Sequence, residues 1–450
     1  MDGTAELLDI DRRYLVHPLH HPDEHKAPLF VTEGKGSILH LADGRELIDG
    51  LAGLWNVNVG HGRGELADAA AAQMKKIAFA SAYVGATNEP AIRLSEKIVK
   101  HAYSNSSAVY FTTAGAESNE SSFKFARYYW KVKDKPNKTK IISRTHAYHG
   151  VTMAAMSATG MKAYHNMFGP LVPGFLQVAA PYAYRWQGNQ EAGIGAAEAV
   201  EKAIQAEGPD TVAAVICEPV MGAGGVIVPP DSYFPKLREI CDRYDVLLIA
   251  DEVITGFGRT GRWFALGHWG VEPDLVSFAK GVTSGYLPLG GVIVSKRVHD
   301  AMLAAPMDRR FMHAATYSGH PVCCAVGLRN VEIIENEGLV ERAAVMGKRL
   351  ITSLHEHLSD LPVVGEIRGL GMMAGIELVA DKASRTPAMG LAPKIGREAI
   401  ARGLLVRPRA GSTDPAIGDT ICLSPPLSTP TEILDRIPQI LREAVAAATR

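Results

Sequence analysis

The sequence predicts an α/β protein with a large domain on a mostly parallel sheet and a smaller α+β domain built from both ends of the chain. Three observations carry this. From about residue 64 to 310, apolar runs of strand length alternate with longer helical patterns, as βαβ units with helices on both sheet faces require. Residues 28–50 read as short alternating strands. After a helical stretch over 320–360 the pattern returns to strands before one closing helix. The chain therefore divides into an N-terminal segment of the small domain, 1–63, a large domain, 64–319, and the C-terminal part of the small domain, 320–450.

Each element has a local cause. In PLFVTEGKGSILHLADGRELIDG the Asp43-Gly44 pair offers the left-handed conformations of a tight hairpin. SAVYFTT, TKIISRT, VAAVICEPV, VLLIADEV, DLVSFAK and GGVIVSK are the strand-length apolar runs of the large domain. LPVVGEIRGLGMMAGIELVAD, ARGLLVRP and DTICLSPPL supply the later strands, and TEILDRIPQILREAVAAAT the closing helix. GSTDPAIGD, 411–419, reads as an exposed loop.

Composition narrows the function. A chain of 450 residues, 47% hydrophobic and 21% charged, can bury a large core. Its 47 basic and 48 acidic residues leave a net charge of −1, so no global field draws nucleic acid or an anionic membrane. The expected partner is a small molecule. No apolar run approaches the roughly 18 residues of a membrane span, and the polar start MDGTAELLDIDRRY lacks a signal-peptide core. The cytoplasm is the expected location. Cys217, Cys241, Cys323, Cys324 and Cys422 fit neither a CxxC nor a zinc-ligand spacing, so they read as reduced, buried thiols.

In parallel sheets ligands gather beyond the carboxyl ends of the strands, and five such ends carry chemistry. SAVYFTTAGAESNE runs from a strand through Thr112, Thr113, Ala114, Gly115 and Ala116 into a helix beginning near Glu117. Small residues and a helix N-terminus suit an anion such as phosphate, although a capped strand-to-helix turn reads the same way. No Walker lysine follows. After IISRT come Tyr148, His149 and Gly150, a ring that could stack on a flat cofactor or simply pack. Glu218 ends the wholly apolar VAAVIC run, where a carboxylate must be paired or solvated. Lastly, Lys280 ends one apolar strand and Asp251 another.

A lysine in partly apolar surroundings is a nucleophile toward carbonyl compounds. If the two strands meet at one crevice, one molecule could place an aldehyde on Lys280, a ring nitrogen on Asp251 and a phosphate at 114–116. Pyridoxal phosphate needs that set. The alternative is a structural Lys280–Asp251 ion pair. The GFGRTG run after Asp251 invites a dinucleotide reading, but that fingerprint wants its first glycine straight after the strand and a full helix after its last. Here DEVIT intervenes and only a short helix fits before the next strand. The glycines read as a turn toward the segment bearing Lys280, and Glu252, facing away from Asp251 along the strand, as structural.

LLIADEVITGFGRTG, EPVMGAGG, FAKGVTSGYLPLGG and ATYSGHPVCCA, in that order, resemble the class III aminotransferases of the aspartate-aminotransferase-like fold (fold type I), over nearly the whole chain. The resemblance implies that Lys280 carries the cofactor's aldehyde and moves the proton, and that Asp251 holds the pyridine nitrogen. It implies that Val253 and Tyr148 cover the two ring faces, and that Glu218 holds the Asp251 side or the region of the ring hydroxyl. Gly115 and Ala116 match the phosphate cradle, and Thr316 the residue given to the neighbouring subunit's cofactor phosphate, hence a homodimer with shared sites.

GLWNVNVGHGR and LLVRP resemble the ω-aminotransferase subgroup, whose members commonly use pyruvate as the acceptor of an amino group. Trp55 and Tyr83 would then line the pocket, with packing as the alternative. Arg407 matches the mobile arginine that grips a substrate carboxylate, with Arg409 close by as the other candidate. A 4-aminobutyrate/2-oxoglutarate enzyme, a decarboxylating or aminomutase relative, and a silent cofactor-binding homologue remain the rivals.

Overall fold

A computed structural model describes residues 2–24, 26, 28–411 and 417–450. Among the described residues the strands form three sheets. The largest takes its strands in the spatial order Ser106–Thr112, Gly290–Ser295, Leu275–Phe278, Leu247–Asp251, Val212–Cys217, Lys140–Arg144 and Phe175–Val178. From Leu275–Phe278 to Phe175–Val178 the pairings are all parallel. Gly290–Ser295 runs antiparallel to both neighbours. Its link from Phe278 holds only turns and the short 3-10 piece Lys280–Val282, too little chain for the crossover that a parallel return needs. All six expected runs of the large domain are strands. Phe175–Val178, a short, half-exposed edge strand, was not foreseen because FLQV lacks a long apolar signal.

The ends of the chain meet in one sheet. Val31–Lys35, Ile38–Leu41 and Glu46–Asp49 pair in sequence, and Leu404 and Leu405 add in parallel beside Ile48 and Asp49. At the hairpin Gly44 has φ 85°, and its N–H donates to Leu41 O at 3.0 Å. The third sheet sets Val364–Gly369, Ala374–Asp381, Thr420–Leu423 and Arg407–Arg409 side by side.

Three expectations are corrected. The closing helix is two, Thr431–Leu434 and Arg436–Ala448, because Pro438 has no N–H for the carbonyl of Leu434 and its ring crowds it. The helix after SAVYFTT begins at Gly115 rather than near Glu117. Of the loop 411–419, residues 412–416 lie outside the described residues, while Gly411 and Ile417–Asp419 are buried, not exposed. Asp419 holds the first, with Gly411 N donating to its carboxylate at 2.7 Å.

Strands Val212–Cys217 and Leu247–Asp251 are buried along their whole length, the pattern of a sheet covered on both faces. Among the described residues no helix is long and apolar enough to cross a membrane. All five cysteines are unpaired and buried. Glu252 is fully buried and plays the structural part expected of it. It accepts from Tyr103 Oη at 2.5 Å, Thr255 Oγ1 at 2.6 Å, Ala265 N at 2.7 Å and Leu266 N at 3.2 Å. It thereby ties the strand end to the segment leading toward Lys280.

Glu252→Ala strands these donors, each orphaned group costing about 1–3 kcal/mol. Denaturant unfolding should lose roughly 3 kcal/mol with the bound-cofactor spectrum of the folded protein unchanged; an unshifted midpoint contradicts the assignment.

Candidate active site

A cavity of about 470 Å³ opens at the carboxyl ends of the parallel strands, where such folds bind ligands. Gly115, Ala116, Tyr148, Glu218, Asp251, Val253 and Lys280 all line it. Residues 165 positions apart in sequence are thus neighbours because five strands stop at one crevice.

Asp251 closes its strand as a nearly buried carboxylate, 4% exposed. A bare anion there would be costly. Asn119 Nδ2 and His149 Nδ1 both meet its Oδ2 at 2.8 Å, and Val253 N donates to Oδ1 at 3.2 Å. Facing a carboxylate, His149 Nδ1 is the donor. The hydrogen-bond partners of Asp251 are therefore Asn119, His149 and the Val253 amide and not Lys280, and among the described residues the structural Lys280–Asp251 pair does not form. Sequence reasoning missed Asn119 and undervalued His149. The available signal was spacing: Asn119 lies one helical turn beyond Gly115, on the same face.

Lys280 begins the turn after its strand with φ 45°, the left-handed region that a β-carbon disfavours. Burial pulls its amine down to about 8, against the opposing pull of Asp251. An amine so lowered is neutral far more often near neutral pH than an ordinary lysine, which suits a nucleophile or base.

Helix Gly115–Val132 starts at the cavity wall, and its N-cap, Ala114, has no capping side chain. The amides of its first turn are left for an anion. A β-carbon on Gly115 would stand 2.8 Å from Val253 Cγ1, and one on Gly150 2.6 Å from Ala116 Cβ. Thr113 N and Oγ1 donate to Glu117 at 2.7 and 2.6 Å, fixing the approach to the helix.

Tyr148 leans on Tyr164, ring centroids 5.3 Å apart, and burial pushes its phenol up to about 12. Glu218 does not hold Asp251 by a hydrogen bond; its carboxylate accepts from Tyr148 N and Gly222 N, both at 3.0 Å. Burial raises its pKa.

Four predicted residues lie elsewhere. Trp55 is buried with Leu51, Val220, Val226, Ile254, Met373 and Cys422 instead of lining the cavity. Asp49, accepting from Leu51 N at 3.1 Å and Gly53 N at 2.7 Å, supports a backbone with positive φ at Ala52, Gly53 and Trp55. This turns the indole inward and leaves Leu54 and Asn56 on the cavity wall. Tyr83 is 72% exposed on the turn Ala82–Val84, away from this chain's cavity. Thr316 is exposed in the turn 316–319 and does not line it either. Arg409 is buried, donating to Gly418 O at 2.9 Å, with its charge near Glu377. Arg407 is half-buried, and its charge is felt at Lys280 and Tyr148. Neither arginine lines the cavity, and Arg407 is the one whose charge reaches two residues that do.

The donor set fits pyridoxal phosphate: a desolvated amine for the aldehyde, an anchored carboxylate for a protonated ring nitrogen, and uncapped helix amides for the phosphate.

Comparison with known proteins agrees. The family model "Aminotransferase class-III" matches residues 20–445. A diaminobutyrate–2-oxoglutarate transaminase of Halomonas elongata is 41% identical, covering 100% of this chain and 97% of its own. A putrescine–pyruvate aminotransferase of Pseudomonas aeruginosa is 40% identical over 93% of this chain and 91% of its own. The crystal structure of an (S)-enantioselective omega-transaminase from Thermomicrobium roseum superposes with a TM-score of 0.94, at 44% identity and 99% coverage of each chain. The chain belongs to the class III aminotransferases and is a pyridoxal phosphate-dependent, fold-type-I aminotransferase.

Proposed function

We propose that the protein is an ω-aminotransferase that moves an amino group from an amine or ω-amino acid to pyruvate in a ping-pong cycle. The observation carrying this is Arg407, a half-buried cation whose charge reaches Lys280 without lining the cavity, whose wall includes the apolar side chains Leu54, Val151, Val253, Ile254, Leu287 and Leu289. A guanidinium that can turn in or out lets one pocket take an uncharged donor and a carboxylate-bearing acceptor by turns. The kinship to a putrescine–pyruvate enzyme supports pyruvate.

When bound, pyridoxal phosphate supplies the electron sink and carries the amino group between the half-reactions. Lys280 Nζ would take the proton from the donor carbon and deliver it to the cofactor's aldehyde-derived carbon, and would move a proton in the opposite direction on the reverse half. Asp251, pinned by Asn119 and His149, holds the ring nitrogen's proton in a water-poor site. Gly115 and Ala116 bind the phosphate, Val253 and Tyr148 confine the ring from its two faces, and Glu218 holds the Tyr148 backbone beside the ring-hydroxyl region. Thr316 and Tyr83 serve the site of a second copy. Met74, Ile77, Phe79, Tyr83, Val84 and Tyr317 are exposed apolar side chains, and the Phe79 and Tyr317 rings meet edge to face at 5.9 Å. A homodimer covers that surface, with Trp55 acting as a packed support behind the substrate pocket. The divisions at 63/64 and 319/320 follow this reading.

A donor-by-acceptor panel tests it: turnover should be highest with pyruvate among the oxo acids, and a clear preference for 2-oxoglutarate would overturn the acceptor assignment. Arg407→Ala should cut use of pyruvate by about a hundredfold, the loss of one charge-assisted bidentate contact, while sparing the half-reaction with a neutral amine. Equal losses in both halves contradict the switch. The amine half-reaction should quicken as pH rises through about 8, where Lys280 loses its proton; a flat profile from 7 to 9, once donor ionisation is subtracted, argues against Lys280 as the base. Gly115→Ala pushes Val253 toward the ring, and the cofactor dissociation constant should rise about tenfold, an overpacking cost near 1.4 kcal/mol.

A further inference from the structure

The GFGRTG run, which the chemistry above leaves unused, encloses one of the largest fully buried side chains of the protein, Arg259. Its guanidinium meets only neutral oxygens: Nη1 donates to Met372 O at 3.2 Å and Pro425 O at 2.5 Å, and Nη2 to Asn58 Oδ1 at 2.6 Å. Nε has no partner among the described residues. A buried cation without a bonded carboxylate is costly, and apolar packing could fill the same volume at less expense. Such a group is retained for what it positions.

The contact that leads to the site runs through Asn58, itself 1% exposed. With its Oδ1 held by Arg259, the Asn58 amide can aim only its Nδ2 at Phe257 O, which it reaches at 2.9 Å. That nitrogen forms the wall against Gly281. A β-carbon on Gly281 would lie 2.7 Å from Asn58 Nδ2 and 3.2 Å from Phe257 Cβ. On the other side Asn330 Nδ2 donates to Gly281 O at 2.8 Å and Val282 O at 3.0 Å, and the next turn is tied back where Val59 N donates to Ser284 Oγ at 3.3 Å. Beneath, the Phe257 ring packs on Phe278, two residues before Lys280. The backbone on which Lys280 takes its left-handed φ of 45° is therefore held from one side by Asn330 and walled on the other by Asn58, whose amide Arg259 orients.

The rest of the motif seats the arginine. Gly258 and Gly261 have φ of 92° and 85°, a β-carbon on Gly261 would strike Ala344 Cβ at 2.7 Å, and one on Gly371 would come within 2.4 Å of Thr260 C. Met372 N donates to Arg259 O at 3.0 Å. The turn is wedged between the C-terminal part of the chain and the strand end that carries Lys280.

We propose that Arg259, acting through Asn58, is a positioning residue for Lys280: it sets the Lys280–Gly281 backbone and so the place from which the amine serves the cofactor. The inference rests on Lys280 being the lysine that carries the cofactor. It makes the GFGRTG turn part of the active-site machinery and extends that machinery into Asn58 of the N-terminal segment and the carbonyls of Met372 and Pro425.

The test uses Arg259→Met, Arg259→Lys and Asn58→Ala with two readouts besides turnover: the pH titration of the bound-cofactor absorbance in the holoenzyme, and the pH-dependent acetylation of Lys280 in the cofactor-stripped full chain, read by mass spectrometry. Arg259→Met and Asn58→Ala should shift both titrations and slow the amine half-reaction about ten- to hundredfold, the cost of a displaced reacting group, with donor KM little changed. Arg259→Lys should recover part of each. Should Arg259→Met fail to fold, Asn58→Ala decides, because it leaves Arg259 its carbonyl partners. Lower thermal stability with both titrations in their wild-type positions overturns the proposal. A Lys280→Ala protein that keeps the wild-type absorbance instead defeats the assignment of Lys280, so the two failures are told apart.

Discussion

Lys280 and Asp251 are opposite charges taken out of water at one cavity, and they are not joined to each other. Two such groups facing one another in a low-dielectric interior would ordinarily collapse into a pair. Here Asp251 is already held by Asn119, His149 and the Val253 amide, and Lys280 stands on a backbone turn that fixes its approach. The space kept between them is the functional feature. A molecule that presents a carbonyl to one and a protonated nitrogen to the other completes both, and the uncapped helix at Gly115 supplies the third contact.

The fold exists to hold that separation. Parallel strands bring Glu218, Asp251 and Lys280 to one rim because adjacent strands in register end together. The antiparallel strand Gly290–Ser295 follows directly from the short Lys280 turn, which leaves no chain for a helical crossover. Glu252 and Arg259, next to and beyond Asp251, are buried polar anchors on the underside of the same rim. One is satisfied by hydroxyls and amides, while the other is held by two carbonyls and an asparagine with its Nε unpartnered among the described residues. Glu252 secures the fold of the strand end, and Arg259, the anchor that reaches the lysine's turn through Asn58, limits how far the amine can drift from productive geometry.

Much of this was legible in the sequence. Apolar runs ending in Glu218, Asp251 and Lys280 marked both the strands and the crevice, because a charged residue at the end of a buried strand must face a cavity or a partner. The hairpin at Asp43-Gly44 followed from its turn chemistry. What stayed hidden depends on tertiary geometry. Asn119 sits inside a helix and shows its role only when Asp251 is brought opposite it. Trp55 looked like a pocket residue, yet the turn stabilised by Asp49 rotates it into the core. Arg407 and Arg409 could not be separated by spacing, and burial separates them. The arginine of GFGRTG was overlooked because its partners, Asn58, Met372 and Pro425, lie far from it in the chain.

The most direct measurement is to reduce the cofactor-loaded protein with borohydride, digest it, and map the pyridoxyl group by mass spectrometry. The account predicts the label on Lys280, in the peptide spanning DLVSFAKGVTSGYLPLGG. A label on any other lysine, or a loaded protein that takes none, would contradict it.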